Sequence, residues 1–297
     1  MFTSTTSLAL TSVVTFLVLV WAVRGERALR SLRLFPARLR QQPGLRWTLA
    51  VLGAMLVLNA LEMRLEPWLG SHLRLDFTPW AASLGATLPV RLQTDAMPWL
   101  TQLFTWAYIT VFPLLPLVAV VAFQDRPGRR RFLRDLALIY AINYLVALPF
   151  YLTFPVREAW AGGAGIHFLI PSVYPGFNAQ YRPMSGLDNS FPSLHSALSL
   201  SVFLLAARSG DRRLTMVTAL GAMAIVTATF YLGVHWTTDA VAGAALAVAA
   251  NAVAALVRRA ERQRAEQRQG RTGVLPGESR QSVPTFRAPA FATQTKE

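Results

Sequence analysis

Long apolar runs separated by short polar segments extend over most of the chain. A membrane-spanning α-helix needs about 20 apolar residues to cross a hydrocarbon core of roughly 30 Å. Seven runs are candidates, at residues 7–23, 46–62, 98–123, 132–154, 193–208, 213–234 and 237–258. The short run at 193–208 predicts a helix that begins inside a protein-lined cavity rather than at the lipid surface. The pattern therefore predicts an all-α fold, a polytopic membrane helical bundle with about six to seven transmembrane helices.

The connection between the second and third runs, residues 63–97, has a different pattern. It mixes Trp68, Leu73, Phe77 and Trp80 with charged residues. Tryptophan is enriched at the level of the lipid headgroups, and amphipathic helices lie in that layer. We therefore expect an interfacial helix on the outer leaflet in this segment.

Basic residues alternate with the apolar runs. The loops after the first, third and fifth runs and the segment after the seventh are rich in arginine, whereas the connections 63–97 and 155–192 are nearly neutral. Basic loops stay on the cytoplasmic side of a membrane. The alternation therefore predicts an integral protein of the plasma (cytoplasmic) membrane, with its N-terminus outside and its C-terminus in the cytoplasm.

Composition narrows the class of protein further. Apolar residues make up 53% of the chain and charged residues 15%, against about 25% charged residues in a soluble domain. The net charge of +14 does not indicate nucleic-acid binding, because the charges border membrane spans instead of forming a stripe with aromatic residues. The absence of cysteine excludes disulfides and thiolate chemistry.

His235 and Asp239 stand four positions apart at the start of the seventh run. Residues at i and i+4 share one face of a helix. A carboxylate beside an imidazole fixes the tautomer and stabilises the imidazolium, which leaves the opposite nitrogen available as a nucleophile. The alternative is structural, in which Thr237 or Asp239 caps the seventh helix.

His195 follows Pro192 and Ser193 at the start of the fifth run. Proline suits the first turn of a helix and serine suits its N-cap, and the free N–H groups of such a turn bind phosphate. A histidine there can protonate a leaving alkoxide. The alternative is an ordinary polar residue at the membrane interface.

His195, His235 and Asp239 together suggest phosphoryl transfer through a phosphohistidine. His235 would attack phosphorus, Asp239 would orient His235, and His195 would protonate the leaving oxygen. The same three residues can also form a facial metal triad, although no further outer carboxylate cluster supports a metal–phosphate site.

Arginine side chains would hold the phosphate oxygens in such a reaction. Arg157 and Arg182 are the candidates in the predicted outer loops, and Ser193 at the start of the fifth run is a third candidate for substrate binding. Either arginine can instead pair with Glu158 or Asp188.

The residues Pro192-Ser-Leu-His195, followed by His235-x-x-x-Asp239, resemble the second and third motifs of the type 2 phosphatidic acid phosphatase superfamily, which includes vanadium haloperoxidases. The stretches Phe191-Pro-Ser-Leu-His-Ser196 and Tyr231-Leu-Gly-Val-His-Trp236 look closest to its inositol phosphorylceramide synthase-like (inositolphosphotransferase) branch. The resemblance covers roughly residues 150–255.

This resemblance implies a helical bundle with its active site at the outer or luminal face. It implies His235 as the nucleophile, Asp239 as its partner and His195 as the acid and base, with no metal or other cofactor. It implies a lipid phosphate or a lipid phosphodiester as the substrate.

Three positions depart from the phosphatase branch. Leu194 replaces the glycine of its Pro-Ser-Gly-His motif, Thr229 stands six residues before His235 where that branch has arginine, and no lysine precedes Arg182-Pro183. The synthase-like branch also lacks the third-motif arginine, which favours that branch.

The sequence thus predicts a membrane enzyme that transfers or hydrolyses a phosphoryl group on a lipid at the outer leaflet. Water as acceptor would make it a lipid phosphate phosphatase, and an inositol or ceramide hydroxyl would make it a phosphotransferase. The expected partners are the lipid phosphate substrate and membrane lipids, and not nucleic acid. Two non-enzymatic alternatives are a lipid transporter or flippase, whose site would usually lie near the midplane, and a membrane scaffold.

The predicted organisation has three parts. Residues 1–130 would hold N-terminal transmembrane helices with the interfacial segment, and residues 131–258 would form the catalytic membrane core. Residues 259–297 would form a basic, disordered cytoplasmic tail, because Arg, Gln, Gly, Ser and Pro bury too little apolar surface to fold.

Overall fold

The computed structural model describes residues 4–73, 75–94 and 96–272. These residues form helices and loops, without a β-strand. In chain order the α-helices are α1 (Thr5–Arg24), α2 (Ala28–Gln41), α3 (Pro43–Leu73), α4 (Thr78–Gly85), α5 (Thr87–Gln93), α6 (Pro98–Trp106), α7 (Phe112–Phe123), α8 (Arg129–Thr153), α9 (Ile170–Val173), α10 (Phe177–Gln180), α11 (Leu194–Ala207), α12 (Arg212–Tyr231) and α13 (Thr237–Thr272). A five-residue π-helical segment, Ala107–Val111, joins α6 to α7.

Six helical segments of the described chain are long and apolar enough to cross a membrane. They cover Thr5–Gln41, Pro43–Glu66, Pro98–Phe123, Arg129–Thr153, Arg212–Tyr231 and Thr237–Gln267. Large apolar side chains such as Val13, Leu56, Met216 and Val241 point outward from these segments, as lipid requires. The predicted all-α membrane bundle is confirmed, and its short fifth run is the 14-residue helix α11.

The main buried apolar cluster joins α7, α8 and α11, with further side chains from α1 and α13. A second cluster packs Ala81, Val156, Ala159 and Ile166 around Trp236, the residue that follows His235. The loop that carries His235 is therefore anchored by a buried indole.

Ion pairs join the basic loops to one another. Arg24 and Arg38 both contact Asp125, at 2.7 and 3.2 Å, and Arg126 contacts Asp211 at 2.6 Å. Asp211 also caps α12 by accepting a hydrogen bond from the amide of Leu214. The loops after the first, third and fifth predicted spans thus meet at one end of the bundle, opposite the loop that holds His235.

The start of α13 packs closely against the start of α11. The Ser193 amide donates a hydrogen bond to the Asp239 carbonyl at 3.0 Å. Gly243 makes this approach possible, because a Cβ atom there would clash with the carbonyl oxygen of Ser193. Small residues at helix interfaces allow such close packing in membranes.

The segment 63–97 does not form the single interfacial helix that its pattern predicts. Residues 63–73 continue α3, and the short helices α4 and α5 follow. The Asp76 carboxylate accepts a hydrogen bond from the Thr78 amide, directly before the new helix α4. Both short helices are bonded to the corner between α12 and α13, since Thr237 donates to the Gly85 carbonyl and Gln93 donates to the Tyr231 carbonyl.

The last helix extends beyond residue 258, where its apolar run ends. The chain divides into one unit of Met1–Ala255 and a second of Leu256–Glu297. In the second unit the helix continues to Thr272, with side chains that are mostly exposed up to residue 267. Ala, Arg, Gln and Glu are strong helix formers, which explains the extension into the segment predicted to be disordered. The remainder of the predicted tail, 273–297, lies outside the described residues.

We predict that Gly243→Ala lowers the thermal stability of the purified protein. The added methyl group would force α13 away from Ser193, and overpacking of this kind costs about 1–3 kcal/mol. Thermal unfolding in detergent measures the change. Gly53→Ala is the matched control, because Gly53 lies in a membrane span with open space at its Cβ position. Equal melting temperatures for Gly243→Ala and the wild type would contradict the close approach of the two helices.

Candidate active site

His235 lies in the tight corner between α12 and α13. Gly233 has a φ of 79°, a left-handed conformation that favours glycine, and a Cβ atom there would clash with the His167 carbonyl. The Thr229 carbonyl accepts hydrogen bonds from the amides of Val234 and His235, at 2.9 and 3.1 Å. The corner therefore holds the His235 backbone rigidly at the end of the bundle.

The Asp239 carboxylate performs both of the roles that its spacing allows. Its Oδ2 accepts a hydrogen bond from the Trp236 amide at 2.9 Å, which caps the start of α13. The same oxygen lies 3.4 Å from Nδ1 of His235. Asp239 is fully buried and His235 is 4% exposed. Because the carboxylate accepts from Nδ1–H, the unshared electron pair of the imidazole lies on Nε2.

His195 lies in the first turn of α11. The Ser193 hydroxyl accepts a hydrogen bond from the Ser196 amide at 3.3 Å and is the N-cap of this helix. The carbonyl of Pro192 accepts a hydrogen bond from the Tyr151 hydroxyl at 2.8 Å. These contacts hold the turn in place, and Nδ1 of His195 lies 3.4 Å from Nε2 of His235.

The π-helical segment and the start of α7 each supply one ring that contacts His195. Tyr108 stacks on the imidazole, with the ring centroids 4.2 Å apart and the planes at 19°, and Phe112 lies at 4.3 Å on a tilted plane. Tyr108 is 1% exposed. Single π-helical turns within α-helices frequently occur at functional sites. Sequence reasoning missed Tyr108, since nothing in its apolar surroundings distinguishes it from a core residue.

Arg182 is enclosed by acceptors and aromatic rings. Its Nη1 donates to Glu158 Oε1 and to the Gly186 carbonyl, both at 2.7 Å. The guanidinium carbon lies 5.1 and 5.2 Å from the ring centres of Phe168 and Phe177, within the range of cation–π attraction. Its Nη2 is buried and has no hydrogen-bond partner among the described residues. Arg182 thus keeps a donor available for an anionic ligand.

Glu158 is the buried counterion of Arg182. Its side chain is 4% exposed, and its Oε2 accepts a hydrogen bond from the Trp160 indole at 2.6 Å. Burial raises the pKa of Glu158, and Arg182, Trp160 and His235 offset only part of that rise. From the sequence, Glu158 is an alternative partner for either arginine, and in the structure it pairs with Arg182.

Arg157 has different surroundings from Arg182. Its side chain is 50% exposed and lies 3.4 Å from Asp76 and 3.9 Å from Asp188. Its backbone carbonyl accepts a hydrogen bond from the Trp236 indole at 2.9 Å. The backbone of Arg157 therefore supports the loop that follows His235, while its side chain pairs with carboxylates at the surface.

A pocket of about 270 Å³ adjoins Arg182. Carboxylates from α3 and from the loop before α11 lie on its wall, and Glu66 Oε1 accepts a hydrogen bond from the Asp188 amide at 3.2 Å. The residues that line the pocket are Met63, Glu66, Arg182, Pro183, Gly186, Leu187 and Asp188. Sequence reasoning missed Glu66, because the end of α3 was predicted to lie at the membrane interface.

The arrangement supports acid–base and nucleophilic chemistry. Asp239, His235 and His195 form one continuous line of contacts from a buried carboxylate to a second imidazole. In such a line the carboxylate stabilises a positive charge on the first imidazole, and the second can give or take a proton. Within residues 4–73, 75–94 and 96–272, no three His, Cys, Asp or Glu side chains converge as a metal-binding group.

The chain is similar to known proteins over more than half of its length. A family model described as the PAP2 superfamily matches residues 75–253, more than half of the chain. The putative undecaprenyl-diphosphatase YbjG of Escherichia coli (strain K12) is 26% identical over 153 residues, which cover 50% of this chain and 69% of that protein. No solved structure matches the chain. The matched region includes the site residues described above, namely Glu158, Arg182, His195, His235 and Asp239.

We predict that Arg182→Met destabilises the protein, and increasingly so as the pH rises above the usual range of a carboxyl pKa. Removal of one partner of a buried ion pair costs about 3–5 kcal/mol. Burial then raises the pKa of Glu158 without the opposing effect of the guanidinium. A carboxyl that binds its proton more tightly when folded loses stability as the pH rises from its unfolded to its folded pKa.

Thermal unfolding at several pH values measures this effect. The double variant Arg182→Met/Glu158→Gln is the matched control, because it has no buried charge at this position. We expect it to recover most of the lost stability and to lack the pH dependence that Glu158 contributes. Parallel pH profiles for Arg182→Met and the wild type would contradict the assignment of Glu158 as a buried counterion.

Proposed function

The chain belongs to the PAP2 superfamily, and on this premise we propose that it is a membrane lipid phosphatase that works through a phosphohistidine at the outer membrane face. One observation carries the proposal: the line of contacts from Asp239 through His235 to His195 lies at one end of a membrane bundle, near the partly buried Arg182. The match from residue 75 and the stacking of Tyr108 on His195 support a catalytic part that begins near residue 75 rather than at 131.

The proposed reaction has two steps. Nε2 of His235 attacks phosphorus, the bond from phosphorus to the lipid oxygen breaks, and His195 protonates the leaving oxygen. His195 then takes a proton from water, whose oxygen attacks phosphorus and releases His235. The two imidazole nitrogens lie 3.4 Å apart, so the rings must separate to admit a phosphorus atom. Asp239 stabilises the imidazolium throughout.

We assign the main phosphate contact to Arg182 rather than to Arg157. Arg182 has a buried, unpaired Nη2, whereas Arg157 is half exposed and pairs with Asp76 and Asp188. A buried cation contributes more to phosphate binding than an exposed one, because water screens it less. The N-terminus of α11, where Ser193 is the cap, would add the favourable end of a helix dipole.

The substrate class follows from the surroundings of the site. The chain is an integral membrane protein, and its similar protein from Escherichia coli carries the name of a lipid diphosphatase. We therefore propose lipid phosphates and lipid diphosphates as the first substrates to test. The ion-paired basic loops at the opposite end support a cytoplasmic location for that end and an outer location for the site.

Transfer to an alcohol, as in the inositol phosphorylceramide synthase-like branch, is the second candidate function. The position six residues before His235 holds Thr229, which is fully buried and donates its hydroxyl hydrogen bond to the Val226 carbonyl. That position supplies no cation for a phosphate, in contrast to the phosphatase branch. A phosphodiester carries less charge than a phosphate monoester, which suits a site with fewer cations.

We predict that the purified wild type releases phosphate from a panel of lipid phosphates and diphosphates in the presence of EDTA, and that His235→Ala is at least about 10³-fold slower. His167→Ala is the matched control, because His167 is exposed and only its backbone contacts Gln93. Equal rates for His235→Ala and the wild type would contradict the phosphohistidine.

A parallel assay separates the candidate functions. A phospholipid donor is supplied with inositol or ceramide, and the new phosphodiester is measured. If a phosphodiester forms only when His235 is present, and no free phosphate is released, the activity is transfer and not hydrolysis. Neither product from any donor would overturn the enzymatic proposal and favour a transporter or a scaffold.

We predict that Ala179→Cys is labelled by a membrane-impermeant maleimide in intact cells, whereas Gly44→Cys is labelled only after permeabilisation. The natural chain has no cysteine, so each variant carries one thiol. Ala179 is exposed in α10 near Arg182, and Gly44 is exposed in the first turn of α3, beside the basic residues that precede it. The reverse labelling pattern would place the site in the cytoplasm.

A further inference from the structure

We propose that Glu158 is a positioning residue that limits how tightly the site holds phosphate, because it partly neutralises the guanidinium of Arg182. The inference rests on the proposed function, in which Arg182 binds the phosphate group. The proposed mechanism gives Glu158 no step of its own, although it is one of the few deeply buried carboxylates of the described chain.

Glu158 is held in place independently of Arg182. Its backbone amide donates to the Leu187 carbonyl at 2.9 Å, and its Oε2 accepts from the Trp160 indole. The next two amides, of Ala159 and Trp160, donate to the carbonyls of Val234 and Gly233. The loop that carries the carboxylate is therefore bonded directly to the corner that carries His235.

Arg182 is likewise held by more than Glu158. The Gly186 carbonyl accepts from the same Nη1, and the rings of Phe168, Phe177 and Trp160 surround the guanidinium at 5.1, 5.2 and 6.0 Å. A change at Glu158 that keeps the size of the side chain should therefore leave the guanidinium in place. Such a change alters mainly the charge that a phosphate would meet.

The carboxylate opposes phosphate binding through charge. Nη1 of Arg182 contacts Glu158 and Nη2 is unpaired, so a phosphate on Nη2 and the carboxylate would share one cation. Two negative charges at such a short distance repel each other strongly where water is excluded. A hydrolase must release inorganic phosphate in each catalytic cycle. Repulsion by Glu158 would weaken the binding of this product, whereas Arg182 without a carboxylate partner would hold it more tightly.

The test is the affinity for inorganic phosphate, measured by isothermal titration with the full chain in detergent at pH 8. We expect Glu158→Gln to bind phosphate about tenfold or more tightly than the wild type, and to show the same change in the inhibition constant for phosphate in the lipid phosphatase assay. A purely structural role would weaken binding, so the direction of the change distinguishes the two.

Three variants control the interpretation. Glu158→Asp keeps the charge and should not gain affinity. Asp76→Asn removes a carboxylate beside the exposed Arg157 and should leave phosphate affinity unchanged. In the Arg182→Met background, Glu158→Gln should produce a smaller gain than in the wild type, because the part of the effect that acts through the guanidinium is lost.

The outcomes separate this inference from the function on which it rests. If the wild type hydrolyses lipid phosphates through His235 but Glu158→Gln binds phosphate equally or more weakly, the function stands and the role of Glu158 is wrong. A gain of equal size without Arg182 would also overturn that role. If neither the wild type nor Glu158→Gln binds phosphate, both the phosphate site and the role of Glu158 are wrong.

Discussion

The close contact between the starts of α11 and α13 is the interaction on which the rest of the site depends. Gly243 allows the two backbones to approach, and the Ser193 amide then reaches the Asp239 carbonyl. This contact brings His195 beside His235. The Asp239 carboxylate caps the start of α13 and also contacts the imidazole of His235. The packing that stabilises the fold is therefore also the packing that assembles the site.

The two ends of the bundle differ in how they handle charge. At the basic end, arginines from separate loops share a few carboxylates, including Asp125 and Asp211. At the opposite end, one arginine is enclosed with a single carboxylate, Glu158, and with aromatic rings. The first arrangement joins loops that follow different predicted spans. The second keeps a cation in surroundings where water screens it little, which suits the binding of an anion.

Aromatic packing gives the site its rigidity. Tyr108 stacks on His195, and Trp236 anchors the corner of His235 within a buried apolar cluster. Neither ring carries charge, yet each limits the motion of an imidazole. In the proposed mechanism the two imidazoles must separate to admit phosphorus, and these rings restrict the directions in which they can move.

Hydropathy, charge alternation and the spacing of His235 and Asp239 are properties of short stretches of sequence. The sequence by itself therefore determined the membrane spans, the grouping of the basic loops at one end of the bundle, and the two histidine motifs. The tertiary structure decided what depends on which loops meet. Arg157 and Arg182 have similar local sequence character, and only the fold encloses Arg182 with Glu158 and leaves Arg157 half exposed. The contact of Tyr108 with His195 and the packing of α4 and α5 could not be predicted from the sequence either, because a contact between distant segments leaves no periodic pattern in the sequence of either segment.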